Sequence, residues 1–134
     1  MMKKLLYIGV AFLIPSCVLA GQIDSEEMYQ KASALTKLSK AVEATVRYKN
    51  PPERISEKEL IDLSTKDDPS LQEPFKENVV KVLWYDRHSI VLVCSKENKG
   101  LLEDSACTAE LDKHLWKEKE AACEFTMDIE SVCN

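Results

Sequence analysis

The sequence predicts a segregated α+β domain, with a long N-terminal helix packed on a small antiparallel sheet and two disulfides in the C-terminal third. Three observations carry this. Apolar residues recur at helical spacing between Asp24 and Asn50, the period changes to two from Val79 onward, and Cys94, Cys107, Cys123 and Cys133 gather late in the chain. Helical patterns come first and strand patterns afterwards, without the βαβ alternation that a parallel sheet requires.

Residues 1–20 read as an export leader rather than as part of the domain. The charged start MMKK is followed by the apolar run LLYIGVAFLI, too short to span a membrane. Pro15 breaks that run, and Val18-Leu19-Ala20 offers small or aliphatic groups to a signal peptidase, which predicts cleavage before Gly21. The rival reading is a lipobox at Ile14-Pro15-Ser16-Cys17, with Cys17 carrying a lipid. Either outcome leaves a single domain over 21–134 with four cysteines. In an oxidising compartment these predict two disulfides, with three pairings open. The spacing contains no C-x-x-C, which argues against a thioredoxin-like pair or a zinc knuckle.

In the first helix, Met28, Ala32, Leu35, Leu38, Val42 and Val46 line one face. Asp24 with Glu27 reads as a capping-box variant, and Asn50-Pro51-Pro52 supplies the stop. Lys31, Lys37, Lys40, Glu43 and Arg47 then form a solvent face, while Tyr29 and Tyr48 are expected to cover the edge of the core. Ser56 with Glu59 is a second capping box, opening a short helix that ends near Thr65. Asp68-Pro69 starts another helical turn, which Pro74 cuts short.

From Val79 the chain reads as a strand with Val80, Val82 and Trp84 facing inward. After a polar turn at Asp86-Arg87-His88-Ser89, Ile90 to Cys94 is apolar on both faces, the pattern of a central strand. Asn98-Lys99-Gly100 makes the next turn, with glycine expected to take the positive φ, and Leu101-Leu102 returns as a third strand. Thr108 to Trp116 has a weak helical pattern through Leu111 and Leu115. Cys123, Phe125, Met127 and Ile129 alternate with Glu124, Thr126, Asp128 and Glu130, predicting a half-buried strand.

The whole chain is acidic, with 18 Lys and Arg against 23 Asp and Glu. The leader contains two of the lysines and no acid, so the mature chain is more acidic still. No basic patch with interleaved aromatics favours nucleic acid as a partner. No nucleophile elbow, phosphate-cradling loop or H-E-x-x-H motif occurs. Glu103-Asp104 beside Ser105 reads as a solvated loop, too sparse in oxygen ligands for calcium. His88 and His114 are the only histidines.

These features favour a periplasmic or secreted, cofactor-free and metal-free protein, monomeric or a small oligomer, that binds another protein rather than catalysing a reaction. An inhibitor, an immunity protein or a secretion accessory all suit this build. Trp116 is the preferred contact residue, with His88 and Arg87 in the hairpin turn as further candidates. The alternatives are an envelope hydrolase using His88 or His114 with a nearby acid, and an envelope structural component lipid-anchored through Cys17.

Overall fold

The computed structural model describes residues 16–108, 111–112 and 120–133. Helix α1 (Ser16–Tyr48) is followed by α2 (Glu57–Ser64), a 3-10 helix (Pro69–Phe75), strands β1 (Val79–Tyr85), β2 (His88–Cys94), β3 (Gly100–Ser105) and β4 (Leu111–Asp112), and the short helix α3 (Ile129–Val132). The strands form one antiparallel sheet in the order β1-β2-β3-β4, with α1 packed across it.

Helix α1 starts earlier than Asp24. No proline lies between Ser16 and Asn50 to interrupt it, so Asp24 falls inside the helix and does not cap it. The inner stripe is the expected one: Ala32, Leu35, Leu38, Val42 and Val46 are buried, with Met28 packed against them. At the far end Asn50 adopts φ 43°, a left-handed conformation that asparagine tolerates, and the two prolines that follow prevent continuation. Arg87 Nη2 donates to the Arg47 carbonyl at 3.1 Å, satisfying one of the carbonyls that a helix end leaves open. Tyr29 and Tyr48 do not cover the core edge; both are exposed.

The second capping box is present. Ser56 Oγ accepts from the Glu59 amide at 3.1 Å, the Glu59 carboxylate accepts from the Ser56 amide at 3.3 Å, and Thr65 closes the helix. Pro69 opens the 3-10 helix at a position where its missing N–H costs nothing, and Phe75 buries at its end.

The β1–β2 hairpin turns through two residues only. Asp86 (φ 48°) and Arg87 (φ 67°) both take left-handed backbone, the requirement of a type I′ turn. Tyr85 therefore pairs with His88, and His88 and Ser89 belong to β2 rather than to the turn. Ile90 to Cys94 is buried throughout, as expected of a strand flanked by β1 and β3 and covered on both faces. One face carries Val82, Val91, Val93 and Leu102 against Leu35, Leu38 and Val42 of α1. The other carries Leu92 and Cys94 against Cys123, with Ala121 and Phe125 alongside. In the β2–β3 turn the positive φ is taken by Asn98 (64°) and not by Gly100, a further correction with the same stereochemical basis. The register slips once between Val93 and Cys94, a bulge that pairs Cys94 with Gly100.

The predicted strand at Cys123–Glu130 does not form. After an isolated bridge of Lys99 with Ala122, the chain runs on without strand partners and ends in α3. Its side chains nevertheless alternate: Cys123 and Ile129 are buried, Phe125 and Met127 half-buried, and Glu124, Thr126, Asp128 and Glu130 exposed. The alternation reports one wet face and one dry face, which an extended segment has whether or not a neighbouring strand supplies its hydrogen bonds. The expected helix from Thr108 is also corrected, because Leu111–Asp112 pairs with Glu103 and Asp104 as β4. The remainder of that stretch, including His114 and Trp116, lies outside the described residues.

Two disulfides select one of the three pairings. Cys94 joins Cys123, binding the central strand to the C-terminal segment, and Cys107 joins Cys133. Each closes a loop of sequence separation 29 or 26, long enough to restrict the unfolded chain substantially.

Candidate functional site

Three acidic side chains that the sequence places in solvent are buried instead, and they organise the polar interior. Glu43 is 5% exposed, Glu103 fully enclosed and Asp104 5% exposed. Glu43 lies eight residues after Leu35 and four after Ser39, so it borders the inner stripe. A helix laid across a sheet buries a wider arc than the apolar residues alone mark. Glu103 and Asp104 are interior residues of β3 and not a loop. Their charge conceals a strand paired with the fully buried core strand β2.

Glu43 binds the start of β2. One oxygen accepts from the Ser89 amide at 2.6 Å and the Ser89 hydroxyl at 2.9 Å, and the other lies 2.7 Å from His88 Nδ1. A carboxylate can only accept, so Nδ1 carries the hydrogen and the lone pair of the neutral ring is on Nε2. This is the orienting half of an acid–imidazole pair. Among the described residues no serine hydroxyl bonds the ring, and that of Ser89 donates to Glu43 instead. The groups that do adjoin the imidazole are sulfurs: a ring nitrogen of His88 and the sulfurs of Cys107 and Cys133 lie within 4.8 Å of one another.

Glu103 projects from the opposite face of the sheet. It accepts from the Thr126 amide at 3.1 Å, the Thr126 hydroxyl at 2.6 Å and the Met127 amide at 2.9 Å. The carboxylate supplies the acceptors that a neighbouring strand would otherwise provide, which is why this segment is extended without being paired. Lys81 Nζ adds a 3.4 Å bond to the Cys123 carbonyl.

Asp104 faces α1. Burial pushes its carboxyl up to about 6, against the opposing pull of the Ser39 hydroxyl and the Lys40 ammonium. The folded state therefore holds this proton more tightly than the unfolded chain. The group costs nothing below about pH 4, and its penalty grows as pH rises through 6. Asp104→Asn is expected to leave stability unchanged near pH 4 and to raise it at pH 7.5 by roughly 1–2 kcal/mol. Urea titrations of both proteins at the two pH values check this, and a gap independent of pH would contradict it.

The second surface of interest is the outer edge of the sheet. β1 is hydrogen-bonded to β2 on one side, and among the described residues no strand lies on the other. Val79, Leu83 and Tyr85 are exposed along it, at 44%, 38% and 59%. A groove of about 560 Å³ runs beside them, lined by Glu53, Val82, Leu83, Trp84, Tyr85 and Asp86. Trp84 itself is half-buried against the core, with its strand face inward.

The candidate contact residues thus separate. His88 joins Glu43 and the second disulfide, Arg87 is exposed and binds the end of α1, and Trp116 lies outside the described residues. Glu43 and Glu103 were missed by sequence reasoning, as was the apolar edge of β1. The β-prone run VVKVLWY, with Val80, Val82 and Trp84 on its inner side, predicts the strand but does not say which edge would lack a neighbour.

No protein-family model matches this chain, and comparison with curated proteins and with solved structures gives no match. Among the described residues no helix is long and apolar enough to cross a membrane.

Proposed function

We propose that this chain is an exported binding protein, periplasmic or secreted, that receives an extended segment of another protein along the free edge of β1. The observation that carries the reading is the groove at that edge. Its floor is apolar, through Val82, Leu83, Trp84 and Tyr85, and Glu53 and Asp86 add negative charge. An edge strand offers main-chain donors and acceptors to an added strand, and pockets for alternate side chains then give specificity. The occupant that fits is an extended stretch with apolar residues at every second position and a basic residue opposite Glu53 or Asp86. Support for export comes from the leader-like residues 1–20 and from the two disulfides.

The test is site-specific photocrosslinking in the native cell from position 83 and from position 85, with the exposed Lys58 of α2 as the control position. The expected result is one crosslinked segment, common to positions 83 and 85 and absent from position 58. As a synthetic peptide, that segment should slow hydrogen exchange of the β1 amides, and Tyr85→Ala should weaken its binding by about 30-fold, the loss expected of an aromatic anchor. Equal labelling from all three positions, labelling of a second copy of this chain, or no labelling from β1 would overturn the proposal.

A further inference from the structure

We propose that reduction of the Cys107–Cys133 bond creates a zinc site, with the two thiolates and the His88 imidazole as ligands. The sequence gives no hint of it, because the three residues are far apart in the chain and none belongs to a C-x-x-C pair. The fold brings them together: His88 opens β2, Cys107 follows β3, and Cys133 follows α3. A ring nitrogen and the two sulfurs lie within 4.8 Å of one another. Two sulfurs and one imidazole form a donor set suited to zinc, leaving one tetrahedral position for water or an external ligand.

Glu43 gives the arrangement its second support. Zinc-binding histidines commonly donate their other ring N–H to a carboxylate, which fixes the tautomer and raises the basicity of the ligating nitrogen. Here Nδ1 already donates to Glu43 at 2.7 Å, within a group that Ser89 also holds, so Nε2 is the nitrogen with a lone pair to offer. The ring is oriented before any metal arrives.

The two disulfides differ in the way such a device needs. Cys94 and Cys123 are buried at 0% and 4%, whereas Cys107 and Cys133 are both half-buried and open to a small reductant. The chemistry balances with a dithiol as reductant: it transfers two electrons and two protons to the Cys107–Cys133 bond, becoming a disulfide itself and leaving two thiols. Zinc then displaces both thiol protons to solvent and accepts the Nε2 lone pair. A small-molecule disulfide reverses this by thiol–disulfide exchange: it takes two electrons from the two thiolates and two protons from solvent, leaves as two thiols, and the reformed Cys107–Cys133 bond releases the zinc ion, so metal occupancy reports the thiol–disulfide state of the surroundings.

The experiment uses full-length protein purified with both bonds formed. A brief treatment with dithiothreitol, removed under anaerobic conditions, should reduce Cys107–Cys133 and spare Cys94–Cys123, as mapped by alkylation and mass spectrometry. Zinc is then titrated against a chromophoric chelator, and cobalt(II) serves as the spectroscopic probe. One equivalent of zinc should bind the reduced form and none the oxidised form. The cobalt complex should show thiolate charge-transfer bands and the intense visible bands of a tetrahedral site. His88→Ala should abolish the tetrahedral spectrum, and Glu43→Gln should weaken binding by about 10–100-fold. Where His88→Ala fails to fold, His88→Asn serves in its place. Absence of uptake by the reduced protein, uptake unaffected by loss of His88, or loss of circular dichroism as soon as this bond opens would each overturn the proposal.

Discussion

Glu103→Ala is expected to lower stability by about 4 kcal/mol and to release residues 124–128 from the sheet. The side chain is fully enclosed and accepts three hydrogen bonds, two of them from consecutive backbone amides. Bonds to a charged acceptor contribute about 1.5–3 kcal/mol each, and shared geometry makes their sum less than additive. The exposed Thr126 hydroxyl can turn to water, whereas the Thr126 and Met127 amides lose the acceptor that holds the segment in place. The space left beside Leu92, its cross-strand partner, adds to the cost. Because Cys123 and Cys133 tether both ends of the segment, much of the effect is local. Hydrogen exchange at the Thr126 and Met127 amides should accelerate far more than exchange in β2. Urea denaturation gives the total. Glu103→Gln keeps one acceptor oxygen and should lose about half as much. A change below about 1 kcal/mol with amide protection intact would show that the segment is held by the disulfides alone.

Glu43→Ala is expected to cost a similar amount, about 4 kcal/mol, for a different reason. Ser89 is fully buried, and its amide and hydroxyl both donate to this carboxylate. Removing the acceptor leaves two buried donors at the start of β2 with no replacement, and it frees the His88 ring. Ser89→Ala removes one donor with its bond and should cost only about 1 kcal/mol. The contrast between the two substitutions separates an unsatisfied polar group from a lost contact. Chemical denaturation measures both, and the nitrogen chemical shifts of His88 should report loss of the Nδ1 hydrogen bond in Glu43→Ala. Equal and small effects would mean that α1 is held on the hairpin by Leu38, Val42 and Val46 alone.

How far the sequence could be read follows from what each pattern encodes. The inner stripe of α1, the Ser56 capping box, the two proline signals and the buried strand Ile90 to Cys94 rest on local periodicity or local hydrogen bonding, and all are present. Glu43, Glu103 and Asp104 were misplaced because a charged residue is ordinarily solvated. Only the partner, 46 residues away for Glu43 and Ser89, makes burial tolerable. The Cys123–Glu130 alternation was read correctly as amphipathic and wrongly as a strand, because period two records which face is dry and not what the backbone bonds to. The cluster of His88 with Cys107 and Cys133 had no local signature at all, since it depends on the register of β2 against β3 and on the disulfide pairing. The outer edge of β1, which no strand covers among the described residues, is likewise a property of sheet order.

Export from the cytosol, with the chain closed by Cys94–Cys123 and Cys107–Cys133, is the proposal on which the binding role depends. Its most direct test is non-reducing peptide mapping of protein taken from the native cell with free thiols alkylated at lysis. The expected result is an amino terminus at Gly21 and two linked peptide pairs, Cys94 with Cys123 and Cys107 with Cys133. Alkylation of all four cysteines on a chain that still begins at Met1 would contradict it.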